Sequence, residues 1–167
     1  LARPDSHLSA RKGRDMSGLR MRVFQAWFRL SRPMTLGVRA AVENEVGQVL
    51  MVRHTYTSGW FLPGGGVERG EPAVEALRRE LVEEGGVALD GTPLLVGVYS
   101  NHPNFRNDHV LLYRVPAGFW TACAPTSQGE IAETAWVDPL APPRGTTPGT
   151  ARRLTELFDG GPSDPYW

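Results

Sequence analysis

The sequence predicts an α+β fold, a mixed α/β/α sandwich with a central mixed β-sheet between helices. Three observations predict it. Short apolar runs of strand length fall in two groups, one before and one after a single charged helical segment. Strands and helices do not alternate as they would in a repeating βαβ sheet. A second segment of helical periodicity closes the pattern. With 167 residues, 41% hydrophobic and 22% charged, the chain can build one domain with a core and an additional arm.

Residues 1–34 read as a basic N-terminal arm. Residues 1–32 carry eight Lys or Arg and two Asp, a net of +6, whereas the whole chain is neutral, so the remainder carries −6. The first fifteen residues are polar, lack periodicity and read as disordered. In LRMRVFQAWFRLSR (19–32), Val23, Phe24, Trp27 and Phe28 fall at helical spacing among arginines, a short amphipathic helix. Packing on the body is its first expected use. A homodimer contact and a membrane-surface helix are the alternatives.

The domain proper is expected over residues 35–160. LGVRAAVE (36–43) and VLMVRHT (49–55) read as strands joined by the turn NEVGQ. GWFLPGGG (59–66) is short and closed by glycines. A helix follows, with Pro72 suited to its first position and Gly85 and Gly86 to its end. LLVGVYSN (94–101) and HVLLYRV (109–115) read as strands around a polar loop, and ETAWVD (133–138) as another. TPGTARRLTELF (147–158) reads as the closing helix, with Thr147 as N-cap and Pro148 at its first position. Residues 161–167 are left as a C-terminal tail.

Composition excludes some classes. A neutral chain with pI 7.1 gives no sign of a nucleic-acid partner. Cys123 is the single cysteine, so an intrachain disulfide and a Cys-rich zinc site are both ruled out. No apolar run reaches membrane-spanning length and no secretory pattern is present, so a cytoplasmic location is the expectation.

The chemistry concentrates on the first helix. Val74, Leu77 and Leu81 make its apolar stripe, and Glu80, Glu83 and Glu84, spaced i, i+3, i+4, share one face beside it. Like charges at this spacing repel, and the one lysine, Lys12, is remote. A hard divalent cation such as Mg²⁺ or Mn²⁺ would relieve the repulsion; a merely solvated acidic face is the plain alternative.

The surrounding spacing favours the cation. Gly65 is followed after five residues by Glu71, and after seven more by Arg79-Glu80-Leu81, then Glu83-Glu84, Gly86 and Val87. This resembles the signature of the Nudix hydrolases, G-x5-E-x7-R-E-U-x-E-E-x-G-U with U bulky and aliphatic, at every specified position. The resemblance extends over roughly residues 35–160 and leaves the basic arm outside.

The resemblance implies a Nudix fold and metal-dependent hydrolysis of a diphosphate linkage in a nucleoside diphosphate derivative, either a nucleoside triphosphate or an ADP-ribose-like compound. It implies that Glu83 and Glu84 hold metal, with Glu80 a third ligand or the group that orients water. The Gly64 carbonyl is a further candidate ligand. Gly65, Glu71, Arg79 and Gly86 would be structural, Arg79 pairing with a carboxylate of the box. A further acid outside the box is sought in QGEIAETAW, where Glu130 is favoured over Glu133. Arg39 and Arg53 are candidates for phosphate contacts, Trp60 for base stacking or for the core, and Arg106 for ribose or phosphate. His54 and Tyr56 end the second strand beside these groups and receive little weight. The expected partner is a small nucleotide, with no membrane and no nucleic acid. A non-catalytic nucleotide-binding module and an enzyme acting on RNA 5′ ends are the alternatives.

Overall fold

The computed structural model describes Arg22, Trp27 and residues 34–102, 104–127 and 129–167. Arg22 and Trp27 are helical and exposed; residues 1–21, 23–26 and 28–33 of the expected basic arm, among them Val23, Phe24 and Phe28, lie outside the described residues. The unit Met34–Trp167 carries the site.

Its elements are β1 (Thr35–Val42), β2 (Val49–His54), α1 (Ala73–Gly85), β3 (Val87–Leu89), β4 (Leu94–Ser100), β5 (Asp108–Val115), β6 (Trp120–Ala122), β7 (Ile131–Val137) and α2 (Pro148–Phe158). β1 runs parallel to β5, and β4 antiparallel to it, which gives a mixed three-stranded sheet in the order β1-β5-β4. Two antiparallel pairs, β2-β7 and β3-β6, extend the β structure. β3 and β6 have three residues each and were not expected: three residues are too few to display a period of two.

The period of two along β1 sorts its side chains between two layers. Val38, Ala40 and Val42 join Leu77 and Leu81 of α1 in one buried cluster, with Leu50 of β2 and Tyr113 and Val115 of β5. Ala41 points the other way and packs with Met51, Leu62, Leu112 and Leu154 of α2. The two helices therefore cover opposite faces, which is the sandwich the sequence predicts. Fully burying side chains of this size contributes roughly 1.5–3 kcal/mol each.

Helix ends follow sequence chemistry with two differences. α1 stops at Gly86, whose φ of 62° is the left-handed cap conformation. Pro72 is the residue before α1 rather than its first residue; its carbonyl accepts from the N–H groups of Glu75 and Ala76. Thr147 does occupy the N-cap of α2, but its hydroxyl donates to Thr150 Oγ1 (2.9 Å) and makes no cap hydrogen bond to the backbone. Among the described residues no helix is long and apolar enough to cross a membrane.

Candidate active site

A cleft of about 1230 Å³ opens where β1, the Gly64–Gly66 loop, α1 and the start of α2 meet. Glu80, Glu83 and Glu84 all line it, as the i, i+3, i+4 spacing requires of one helical face. Glu130, which immediately precedes β7, lines it too; its carbonyl accepts the Thr55 N–H (2.9 Å) and so ties the loop to the end of β2. Glu133 lies elsewhere, with its carboxylate on Arg53 (2.7 Å) and both side chains about half exposed.

The glycine loop is fixed by close approach. Gly64 has φ 137°, and a Cβ there would come within 2.1 Å of the Val38 carbonyl oxygen. Its neighbours lie flat on β1: the Ala40 N–H donates to the Pro63 carbonyl (3.0 Å) and the Val38 N–H to the Gly65 carbonyl (2.9 Å). The Gly64 carbonyl, the candidate ligand, lies between these two. A Cβ on Gly65 would sit 2.5 Å from the Glu80 carboxyl group, so this glycine makes room for that side chain. Gly66, by contrast, has open space where a Cβ would go.

Arg79 organises the acids. Its Nε and Nη2 donate to the two oxygens of Glu71 (3.1 Å each), Nη1 to Glu80 Oε1 (2.6 Å) and less closely to Glu83 Oε2 (3.4 Å), and Nη2 also to the Gly66 carbonyl (3.1 Å). Glu71 in turn accepts the Glu68 N–H (2.9 Å). One guanidinium thus fastens the loop to the helix through planar, charge-assisted hydrogen bonds. Bonding to Arg79, and then to the Glu68 N–H, holds the Glu71 carboxyl below its usual range.

Glu84 is the most deeply placed of the three. It is buried, and its Oε2 accepts the Gly64 N–H (2.8 Å). Burial pushes its pKa up to about 7, against the opposing pull of the Gly64 N–H and the Arg39 charge. Burial also raises Glu80, against the hydrogen bond from Arg79. The hydrogen bonds engage Oε1 of Glu80, Oε2 of Glu83 and Oε2 of Glu84, so each carboxylate keeps a second oxygen. Glu80 and Glu84 are desolvated and Glu83 is more open; their uncommitted oxygens, beside a backbone carbonyl, are donors of the hard type that would suit a divalent cation. Among the described residues no three acids, cysteines or histidines are already placed to hold a metal ion together; Arg79 meanwhile supplies the positive charge.

Arg39 lines the cleft, donates to the Leu62 carbonyl (3.0 Å), and lies 5.9 Å from the Phe61 ring centroid. Burial lowers its pKa, and the charges of Glu84 and Glu80 oppose that. The other expected substrate contacts lie outside the cleft lining. Arg53 is taken up by Glu133 and stands 5.8 Å from the Trp60 ring, Trp60 packs against the α2-side core, and Arg106 does not line the cleft. From the loop after β4, Asn101 and Phe105 face it instead; Asn101 donates to Asp108 Oδ2 (2.8 Å), and Thr35 to Asp108 Oδ1 (2.7 Å).

His54 lies beside Glu84. It is buried, its Nδ1 lies 3.7 Å from Glu84 Oε1, and that nitrogen has no hydrogen-bond partner. Burial, then Arg39, lowers its pKa, so the ring is neutral at pH 7 and the contact is not an ion pair. Its tilted and edge-on contacts with Tyr56 and Phe61, at 5.0 and 5.4 Å, have no signature in a single sequence.

Comparison with known proteins agrees with this geometry. The family model described as NUDIX domain matches residues 33–158. A putative 8-oxo-dGTP diphosphatase of Bacillus subtilis is 34% identical over 128 residues, which cover 75% of this chain and 81% of that protein. An RNA pyrophosphohydrolase of Shewanella piezotolerans is 40% identical over only 57 residues, 34% of this chain and 33% of its own length. Among solved structures, the MutT NUDIX hydrolase of Burkholderia pseudomallei superposes with a TM-score of 0.59 at 26% identity, covering 74% of this chain and 97% of that one. A glycine loop locked to an acidic helix, a match over most of the chain and these relatives identify the protein as a member of the Nudix hydrolase family, an enzyme of the pyrophosphohydrolase type.

Proposed function

We propose that the protein hydrolyses the diphosphate linkage of a nucleoside triphosphate, with an oxidised purine deoxynucleotide of the 8-oxo-dGTP kind as its first substrate, and that it works with Mg²⁺ or Mn²⁺. The observation that carries this reading is the convergence of Glu80, Glu83, Glu84 and Glu130 on one cleft beside the Gly64–Gly65 loop. The name of the Bacillus subtilis relative supports the substrate class.

In this reading Glu83, Glu84, Glu80 and the Gly64 carbonyl hold the cation. When bound, it supplies positive charge against the diphosphate and lowers the pKa of the attacking water. The residues of the chain do the rest. The Gly64 N–H fixes the Glu84 carboxylate by one oxygen and leaves the other for the ligand. Arg79 holds Glu80 and the loop in place, so the acids do not reorganise during reaction. Glu130, just before β7, or Glu80 accepts the proton that water loses as its oxygen bonds to phosphorus and the bridging oxygen departs. Arg39 meets phosphate charge. We assign these roles to a hydrolase domain spanning residues 35–160.

The test is a panel of 8-oxo-dGTP, unmodified nucleoside triphosphates, ADP-ribose and triphosphorylated RNA, each with Mg²⁺, Mn²⁺ or chelator, read by liquid chromatography of the products. Metal-dependent turnover with 8-oxo-dGTP highest in kcat/KM supports the proposal. Preference for ADP-ribose or RNA would refute the substrate class, and turnover in chelator would refute the metal.

A further inference from the structure

Residues 161–167 lie beyond the part of the chain matched by the family model, which ends at 158, yet Trp167 among them lines the cleft. They form no helix, but they are tied down. The Ser100 N–H donates to the Pro165 carbonyl (2.8 Å) and the Trp167 N–H to the Ser100 carbonyl (2.9 Å), so the segment adds a short parallel bridge to the end of β4. Arg152 donates to the Trp167 carbonyl oxygen. Arg153, fully buried, donates to the Asp164 carbonyl (2.9 Å), pairs with Glu156 (3.0 Å) and lies 4.1 Å over the Tyr99 ring. Burying a guanidinium is costly, and here it joins α2, β4 and the tail at one point.

The result of this anchoring is the placement of one indole. A Cβ on Gly149, the second residue of α2, would lie 2.5 Å from Trp167 Cδ1 and 2.7 Å from Nε1, so the glycine is the seat of the ring. Tyr99 meets the indole edge-on at 6.1 Å. Trp167 is only half-buried, and it lines the same cleft as Glu80 and Glu84. The acids come from α1 on one face of the β structure, whereas Trp167, Gly149 and Arg152 come from the α2 side on the other. The cleft thus offers charge chemistry from one layer and a flat, partly exposed aromatic ring from the other. A nucleotide has the same division between phosphates and base.

We propose that the segment 161–167 holds Trp167 in the wall of the cleft, and that the Trp167 indole is a specificity-determining contact that stacks on the purine base of the substrate. This rests on the nucleotide reading above. Stacking of a base on an aromatic side chain is sequence-tolerant and strong enough to shift affinity by about tenfold or more. The wall therefore selects nucleotides over base-free polyphosphates more than it selects one base over another.

The experiment is equilibrium binding by calorimetry, with a non-hydrolysable purine nucleoside triphosphate and inorganic tripolyphosphate as probes, in the wild type and in Trp167→Leu, Trp167→Phe and Trp167→Ala. Binding is read without turnover, so an absence of hydrolysis would count against the proposed function and leave this inference open to its own test. The leucine variant keeps apolar bulk over Gly149 and removes the π face, so it remains informative if the alanine variant unfolds. The expected result is that the wild type prefers the nucleotide, that leucine lowers this preference about tenfold with tripolyphosphate affinity unchanged, and that phenylalanine restores most of it. A preference that survives in Trp167→Leu would overturn the proposal. So would a wild type that binds the two probes equally, or a leucine variant that loses affinity for both alike.

Discussion

Gly65→Ala adds one methyl group and separates the structural role of the glycine loop from its role in activity. The added Cβ would lie 2.5 Å from the Glu80 carboxyl carbon and from Oε1, and 2.6 Å from Oε2. Ordinary contact between such atoms is about 3.5 Å, so the carboxylate must move by about 1 Å. Glu80 is a flexible side chain and can move, but it then gives up the 2.6 Å bond from Arg79. A charge-assisted hydrogen bond contributes about 1.5–3 kcal/mol, less where the donor is about one-third exposed as here. Replacing glycine at an unstrained position returns about 0.4–1 kcal/mol through the unfolded state. The net stability loss is therefore about 1 kcal/mol. Activity responds differently, because misplacing a catalytic group by about 1 Å costs on the order of a hundredfold. The assay pairs urea unfolding followed by circular dichroism with kcat at saturating Mg²⁺. Gly66→Ala, where the Cβ meets open space, is the comparison and should change neither quantity appreciably. Near-normal kcat in Gly65→Ala, or equal losses in both variants, would refute the reasoning.

Three more outcomes follow from the same geometry. A saturating divalent cation, at about a hundred times its dissociation constant, should stabilise the folded protein by about 2.7 kcal/mol and raise its melting temperature by roughly 8 °C, reversed by chelator; no shift would mean the acids do not hold metal. Arg79→Lys keeps the charge but cannot bridge Glu71, Glu80 and Gly66 together, so kcat should fall about tenfold, and full activity would show that the fork is dispensable. Arg53→Ala removes an exposed pair with Glu133, so it should cost under about 1 kcal/mol by urea unfolding and leave KM unchanged; a raised KM would restore Arg53 as a substrate contact.

How much of this was legible in the sequence depends on the range of each signal. α1, its apolar stripe and its acidic face were readable because both follow from helical spacing alone. The five longer strands were readable as apolar runs of strand length bounded by turn residues. β3 and β6 were not, since three residues carry no period. The need for Gly65 is visible in the signature, but its cause, the Glu80 carboxylate lying where a Cβ would be, is tertiary. The choice between Glu130 and Glu133 had no local signal either. It depends on strand register, which sets Glu133 opposite Arg53 and leaves Glu130 at the cleft. The places of Trp60 and Trp167 had no local signal, because exposure of an aromatic ring is decided by what folds over it. Trp60 packs on the α2-side core, whereas Gly149 and Ser100 hold Trp167 at the cleft.

The central claim is that Glu84, fixed by the Gly64 N–H, serves the metal-dependent chemistry of the cleft. The most direct measurement is kcat of Glu84→Gln against wild type at saturating Mg²⁺, with a thermal melt of the same samples. Glutamine keeps the shape and an oxygen able to accept the Gly64 N–H but removes the charge. The account predicts a loss of roughly a hundredfold or more in a folded protein. Activity within a few-fold of wild type, with the same dependence on metal, would contradict it.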